Sequence, residues 1–179
     1  MTWKREPLEK DELSELLDAA ETFDLDHDFT IRALVHTGLR AGEFAQMESD
    51  WMDWQNEQLR VPAEQDGWTP KTEHAARTIP VRDPDTLRVI REFFKRNEAV
   101  GVGRQAVYHR VTRVADETEI QKKVTPHVLR HTYGTLIASK GATPQYIRQT
   151  MGHADLSSAN TYIEYSGVQL NEEASEVWG

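Results

Sequence analysis

Three prolines, each directly after a residue that can cap a helix, set narrow limits on how this chain can fold. The pairs are Asp83-Pro84, Thr125-Pro126 and Thr143-Pro144. Proline suits the first turn of a helix but not its interior, and an Asp or Thr before it can accept a hydrogen bond from the free amides of that turn. The pairs therefore predict three helix starts, and Gly141 and Gly152 predict the ends of the last two helices.

Apolar residues at helical spacing predict further helices. The segment from Leu8 to Ala20 predicts a first helix, and residues 24–28 offer caps for a second one that ends near Gly38. Shorter or later helices are predicted over 42–47, 104–118, 157–165 and 168–178. The chain is therefore predicted to be mainly helical.

Three segments in the middle of the chain have a different character. Residues 51–54, 59–61 and 77–81 are short and β-compatible, and polar turns with Gly and Pro separate them. We expect a small antiparallel sheet here. Together with the helices it predicts an α+β fold, mainly α, in a single domain of 179 residues, which is long enough for one core.

Composition excludes several classes of protein. The chain has no cysteine, which excludes a disulfide framework, a Cys nucleophile and a thiolate zinc site. No apolar run approaches the roughly 18 residues needed to cross a bilayer, and residues 1–7 lack the apolar core of a signal peptide. We expect a cytoplasmic protein.

The distribution of charge matters more than its total. With 30 acidic and 21 basic side chains the net charge is −9, which argues against a nucleic-acid partner. Residues 60–150, however, carry 16 basic and 10 acidic side chains, and both ends of the chain are acidic. It is the local field that steers a polyanion, so a positive face remains compatible with this acidic molecule. The scarcity of Lys, 7 against 14 Arg, among abundant Asp and Glu suggests a high-salt cytoplasm.

Four segments carry residue types suited to phosphate chemistry. Arg40 lies in Gly-Leu-Arg-Ala-Gly-Glu between two predicted helices, and Lys71 precedes the strand Arg-Thr-Ile-Pro. His127-Val-Leu-Arg-His begins a helix, and Met-Gly-His153 precedes Tyr162 by nine positions. Each segment alone also fits an ordinary structural role, such as a solvated arginine, an ion pair or a half-buried tyrosine.

The helix that starts at Thr125 brings His127, Arg130 and His131 close to one face at the positive end of its dipole. An Arg and a His at this place suit a phosphate. His127 and His131 also have the spacing of a zinc pair. The chain lacks the Glu of His-Glu-x-x-His, however, and Arg130 would set a cation beside the metal, so zinc is the poorer interpretation.

Taken in order, these residues resemble the active site of the tyrosine recombinase (phage integrase) family, and the resemblance covers nearly the whole chain. That site consists of an Arg, a Lys on a β-hairpin, a His-x-x-Arg pair, a further His or Trp, and a Tyr. The matching residues are Arg40, Lys71, His127, Arg130, His153 and Tyr162. Tyr165, three residues later, is the main rival for the nucleophile.

The resemblance implies a site-specific DNA recombinase or integrase that forms a 3′-phosphotyrosyl bond and needs neither metal nor ATP. Arg40 and Arg130 would stabilise the charge on the phosphoryl oxygens through planar donors that a lysine lacks. A phenol is largely protonated at neutral pH, so Tyr162 needs a base. His127 is the expected base, and Lys71 the expected acid for the departing 5′-oxygen.

Three more residues complete the implied site. His153 would hydrogen-bond a non-bridging oxygen or support the tyrosine. Glu43 and His131 are predicted to support the catalytic residues without taking part in the reaction themselves. No cofactor and no metal are expected, because the covalent intermediate conserves the phosphodiester energy and the cations come from side chains.

The resemblance also implies partners and further segments. Members of the family bind double-stranded DNA as tetramers, usually with an additional N-terminal core-binding domain of roughly 100 residues that would be absent here. We therefore expect residues 1–179 to form the catalytic domain. Their tail, 167–179, is a candidate for exchange between protomers, through an apolar face of Val168, Leu170, Val177 and Trp178.

Three alternatives stay open from the sequence. A type IB topoisomerase would use similar chemistry to relax supercoils. A catalytically silent module of the same fold would bind DNA without cleaving it. A metal-dependent hydrolase built on His127 and His131 would lose its activity to a chelator.

Overall fold

The computed structural model describes residues 6–65, 67–70, 73–153, 157–167 and 174–178. The helices are α1 Lys10–Glu21, α2 Leu25–Thr37, α3 Ala41–Ala45, α4 Pro84–Arg96, α5 Arg104–Asp116, α6 Pro126–Ser139, α7 Pro144–Met151 and α8 Ser157–Ser166, and the strands are β1 Met52–Asp53, β2 Gln58–Val61 and β3 Arg77–Pro80. Short 3₁₀ turns occupy Ser49–Trp51 and Glu73–Ala75. The predicted α+β, mainly helical class is confirmed.

The three capping residues before proline act as predicted. Asp83 accepts a hydrogen bond from the Thr86 amide, and α4 begins at the proline that follows. Thr125 and Thr143 accept amide hydrogen bonds in the same way at the starts of α6 and α7. Side-chain acceptors thus satisfy amides that the first turn of each helix leaves free.

Helix α2 lies at the centre of the fold and packs against α1, α4, α5 and α6. From Phe29 onward, residues on all sides of this helix are fully buried: Phe29, Thr30, Ile31, Ala33, Leu34, Val35 and Thr37. A helix surrounded in this way has no polar face, so Arg32, which is 4% exposed, needs carboxylate partners. Its Nε donates to Asp28 over 2.8 Å and its Nη2 to Glu21 over 2.6 Å.

The three strands form one antiparallel sheet with β2 in the middle. Leu59 on β2 pairs with Met52 on β1 and with Ile79 on β3. All three side chains are buried, so one face of the sheet covers the core while β3 packs against α7. Lys71 belongs to the segment between β2 and β3 and lies outside the described residues.

The C-terminal residues 174–178 are helical. Val177 is 73% exposed and Trp178 is 87% exposed, whereas Val168 and Leu170 lie outside the described residues. Exchange of this tail between protomers stays a prediction. In the described parts of the chain, no helix is both long enough and apolar enough to cross a membrane.

Candidate active site

Arg40 lies in the tight connection between α2 and α3. Gly38 ends α2 with a φ of 69°, a left-handed conformation that glycine adopts without steric cost. A Cβ atom at Gly38 would overlap the ring of Tyr133 on α6. Arg40 follows as the N-cap residue of α3. The turn at Gly38 thus brings the connection close to α6 and places Arg40 at its edge.

Glu43 holds Arg40 in position. The Arg40 amide donates to Glu43 Oε1 over 2.8 Å, and Arg40 Nη1 lies 3.7 Å from Glu43 Oε2. Among the residues that the structure describes, Nη1 is buried without a hydrogen-bond partner. The Arg40 side chain is 26% exposed. Its guanidinium therefore keeps donors for an anion.

Arg77, the first residue of β3, is the stronger partner of Glu43. Its Nη1 and Nη2 donate to the two Glu43 oxygens over 2.7 Å and 3.0 Å, and its Nε donates to the Thr150 carbonyl over 2.7 Å. Both charged side chains are 4% exposed. A buried ion pair persists when its donors and acceptors are satisfied in this way. Arg77 thereby connects β3, α3 and the end of α7.

Arg130 on α6 is also buried, at 4% exposure. Its Nη1 donates to the Gly38 carbonyl, and its Nη2 donates to the Met151 carbonyl over 2.6 Å. Nη2 lies 3.4 Å from Nε2 of His153. The C-terminal ends of α2 and α7 therefore both point carbonyl oxygens at Arg130, and they fix its guanidinium beside His153.

The buried cations of this site outnumber its buried carboxylate. Burial lowers the pKa of Arg40, and burial with the charges of Arg40 and Arg77 lowers the pKa of Arg130 to about 9. Although burial opposes its ionisation, the hydrogen bonds and charge of Arg77 hold the pKa of Glu43 below its ordinary value. Three arginines share one carboxylate, so a bound anion would relieve the excess positive charge.

Tyr162 on α8 is 4% exposed, and its Oη lies 2.9 Å from His131 Nδ1. Its ring packs on α6 at Gly134, where an added Cβ atom would lie 2.6 Å from the ring. The His153 ring lies nearly parallel to the Tyr162 ring, at an interplanar angle of 7° and a centroid distance of 6.0 Å. Burial raises the pKa of Tyr162, and the charges of Arg130 and Arg40 partly offset this effect.

A groove of about 1230 Å³ opens beside these residues. Its lining includes several cations and aromatic rings: Arg40, Trp68, Arg104, Tyr108, Lys122, Lys123, His127 and Arg130. His127 is exposed in the groove, and its ring centre lies 4.4 Å from that of half-buried His131. Burial therefore increases from His127 through His131 to Tyr162.

The structure brings together seven of the eight predicted residues. They are Arg40, Glu43, His127, Arg130, His131, His153 and Tyr162, and Lys71 lies outside the described residues. The rival Tyr165 has other charged neighbours: burial raises its pKa, and among the charges Glu6 and Lys122 have the largest effects on it. Within the described ranges, no group of three or more His, Asp or Glu has the arrangement of a metal site.

A comparison with protein families matches residues 6–167 to the phage integrase family. The chain belongs to this family. Tyrosine recombinase XerC of Listeria monocytogenes is 24% identical over 159 residues, which cover 84% of this chain and 53% of that protein. Tyrosine recombinase XerD of the same species is 30% identical over 79 residues, which cover 44% of this chain and 27% of that protein. The integrase-family chain thus spans about half the length of XerC.

Solved structures share the fold. A crystal structure of XerA recombinase superimposes with a TM-score of 0.77 at 23% identity, over 95% of this chain and 62% of that one. XerH recombinase, in a post-cleavage complex with a palindromic difH substrate, gives a TM-score of 0.75 at 19% identity, over 97% of this chain and 53% of that one. The predicted α+β fold is confirmed. The family, which was predicted from the order of six residues, is confirmed as well.

Local sequence patterns do not identify Arg77 as a residue of the site, and they do not indicate which histidine contacts Tyr162. Arg77 was interpreted only as the start of a strand, because no local pattern connects it to Glu43, 34 positions earlier. The resemblance predicts His127 as the base and His131 as a support, whereas the structure places His131 Nδ1 within hydrogen-bond distance of Tyr162 Oη. The role of His127 as a base stays a prediction.

Proposed function

We propose that this chain is the catalytic domain of a site-specific DNA recombinase or integrase. It would cleave and rejoin strands through a 3′-phosphotyrosyl bond to Tyr162, with no metal and no ATP. The observation that best supports this proposal is the position of a buried tyrosine close to a buried arginine, Arg130, and a half-buried one, Arg40. Arg40 and Arg130 both offset the effect of burial on the Tyr162 pKa.

The chemistry requires positive charge on the protein. Attack by the Tyr162 oxygen on a phosphodiester increases the negative charge on the non-bridging oxygens, and fixed donors stabilise that charge best. Arg130 is fixed by two helix ends, and Arg40 by Glu43. In this proposal His153, beside Arg130, donates a hydrogen bond to the same oxygens or supports the tyrosine.

Proton transfer needs a base and an acid. His127 and His131 are the imidazoles between Tyr162 and the groove, and the family resemblance supports His127 as the base. The same resemblance supports Lys71 as the acid for the 5′-oxygen. Glu43 supports Arg40.

The proposed substrate is double-stranded DNA, bound by a homo-oligomer, with a tetramer as the expected form, in the cytoplasm. The groove offers Arg104 and Lys123 in addition to the active-site arginines. Lys122 contributes less, because its Nζ donates to Glu12 over 2.9 Å and to the Pro7 carbonyl over 3.0 Å. Lysines and arginines that neutralise phosphates release counterions, so we expect affinity to fall steeply with salt.

The proposal can be tested with a library of nicked suicide duplexes in the presence of a chelator. Cleavage would leave the protein covalently joined to the 3′ phosphate, and sequencing of the recovered DNA would give the cleavage site. Supercoil relaxation without a recombinant product would favour a type IB topoisomerase. DNA binding without any adduct would favour a silent module, and loss of activity in chelator would favour a metal-dependent hydrolase.

Tyr162→Phe and Tyr165→Phe form a matched pair for the nucleophile. We expect Tyr162→Phe to bind DNA with unchanged affinity and to form no adduct, because it lacks the attacking oxygen. Tyr165→Phe should form adduct at the wild-type rate. Denaturing gel electrophoresis with labelled DNA measures both. An adduct that persists in Tyr162→Phe and disappears in Tyr165→Phe would reverse the assignment.

A further inference from the structure

The hydroxyl group of Tyr162 has a histidine within hydrogen-bond distance in the structure. Tyr162 Oη lies 2.9 Å from His131 Nδ1, whereas His127, the base expected from the motif, is exposed in the groove. A candidate base must lie within hydrogen-bond reach of the proton that it abstracts. His131 meets this requirement directly.

We propose that His131 Nδ1 accepts the proton of Tyr162 when the tyrosine attacks DNA. The inference rests on the proposed function and assigns the base within it. His131 is then a catalytic residue rather than a support.

The orientation of the His131 ring supports this assignment. A helical histidine can turn Nδ1 to the carbonyl four residues earlier, as His36 does with Arg32 over 3.1 Å. His131 instead directs Nδ1 to a side chain on another helix. A phenol is protonated at neutral pH and can donate its proton, so in this proposal Nδ1 accepts and the ring proton lies on Nε2.

The surrounding charges favour transfer in this direction. Among the described residues, the charged and titratable groups near the bond include Arg40, Arg130, His127 and His153. The two arginines favour the phenolate, and they disfavour a positive charge on His131 before DNA binds. A phosphodiester beside the arginines would offset their charge and make an imidazolium easier to form. Binding of the DNA substrate would thus make His131 a stronger base.

The step balances in atoms and electrons. The Tyr162 O–H bond breaks and its proton binds to His131 Nδ1, while the phenol oxygen forms a bond to phosphorus. The bond from phosphorus to the 5′-oxygen breaks, and that oxygen takes a proton from a separate acid, for which Lys71 is the expected residue. Rejoining reverses each transfer, so no net proton is consumed.

The experiment uses the cleavage site recovered from the suicide library, synthesised in two forms. One has the natural 5′-oxygen at the scissile phosphate, and the other has a bridging 5′-sulfur, which leaves without a proton and so removes the need for an acid. Single-turnover adduct formation is measured between pH 7 and pH 9. The variants are His131→Asn and His127→Asn, and His109→Asn, on the exposed surface of α5, is the matched control.

Asparagine keeps a hydrogen-bonding group near the Nδ1 position but cannot hold the proton. We expect His131→Asn to slow cleavage by about 10²- to 10⁴-fold on both substrates, which is the usual contribution of a general base. Its rate should rise about tenfold per pH unit, because hydroxide must then supply the tyrosinate. Wild type and His109→Asn should show a shallower dependence.

Several outcomes would overturn the assignment. A His131→Asn rate close to wild type would mean that the hydrogen bond only positions the tyrosine. Sulfur rescue of His131→Asn would indicate an acid, and a steep pH dependence in His127→Asn alone would make His127 the base. If wild-type protein forms no adduct with any duplex, the proposed function fails first and this inference fails with it.

A second measurement needs no activity. Nitrogen NMR of the free protein at neutral pH should show His131 as the Nε2–H tautomer, with a signal that changes in Tyr162→Phe. A proton on Nδ1 that is donated to the phenol would contradict the proposal. Melting temperatures of the variants would show whether each one is folded.

Discussion

At the level of single residues, Arg40 shows why the guanidinium group suits this site. Its side chain reaches the groove while Glu43 stays within 3.7 Å of the same Nη1. A planar fork can contact a carboxylate with one edge and a phosphate with the other, whereas an ammonium group on a flexible stem is a single point charge. The position therefore needs the shape of arginine as well as its charge.

We expect Arg40→Lys to reduce adduct formation by about 10²- to 10³-fold, the usual cost of removing one donor to a charged transition state. Arg88→Lys, on the exposed side of α4, serves as the control for the same change and should keep wild-type activity. Single-turnover assays at saturating DNA separate this effect from binding. An Arg40→Lys rate within a few-fold of wild type would rule out the planar contact.

Among the helices, the contact between α6 and α8 positions Tyr162, the proposed nucleophile. Gly134 lies in the middle of α6, where glycine costs about 0.5–1 kcal/mol relative to alanine. Its lack of a side chain lets the Tyr162 ring lie flat against the helix backbone, and α6 also carries His131. The close approach of the two helices therefore brings Oη within hydrogen-bond distance of the imidazole.

Gly134→Ala tests this contact. Alanine should favour the helix, but its Cβ atom would lie 2.6 Å from the Tyr162 ring, and overpacking of this kind costs about 1–3 kcal/mol. We expect a lower free energy of unfolding and a loss of adduct formation of at least about tenfold. Chemical denaturation and the suicide assay measure the two effects. Ser139→Ala, near the exposed end of α6, is the control; a Gly134→Ala protein as active and stable as wild type would contradict the packing.

For the whole molecule, the surface charge is unevenly distributed, and the acidic start of α1 meets the basic groove where Lys122 pairs with Glu12. Helix α1 and its approach expose the carboxylates of Glu9, Asp11, Asp18 and Glu21, whereas the groove exposes Arg104 and Lys123. The net charge of −9 is therefore compatible with an anionic substrate at the groove. Added salt should stabilise the fold through the acidic surface and weaken DNA binding at the groove.

We expect the melting temperature to rise as potassium chloride increases to molar concentrations, because screening reduces the repulsion within the acidic surface. DNA affinity should fall over the same range, because salt opposes counterion release. Calorimetry and fluorescence anisotropy measure the two quantities. A melting temperature that stays flat or falls would refute adaptation to high salt and leave the recombinase proposal intact.

Local sequence patterns were sufficient for much of the fold. Asp83, Thr125 and Thr143 cap helices as predicted, because a capping residue and its amide donors lie within three positions of one another. The order of six chemically suited residues was sufficient for the family. The pattern also predicted an amphipathic α2, but neighbouring helices surround it, and a pattern of apolar residues says little about how many neighbours a helix has.

Contacts between distant residues could not be obtained in the same way. Arg77 binds Glu43 across 34 positions, and His131 binds Tyr162 across 31 positions. Whether two such residues come into contact depends on how closely their helices and strands approach one another. Other residues, such as Gly134, control that approach. The sequence therefore indicated which side chains are available for catalysis. Packing settled which histidine contacts the tyrosine and which arginine orients Glu43, because these choices depend on ångström-sized differences between elements.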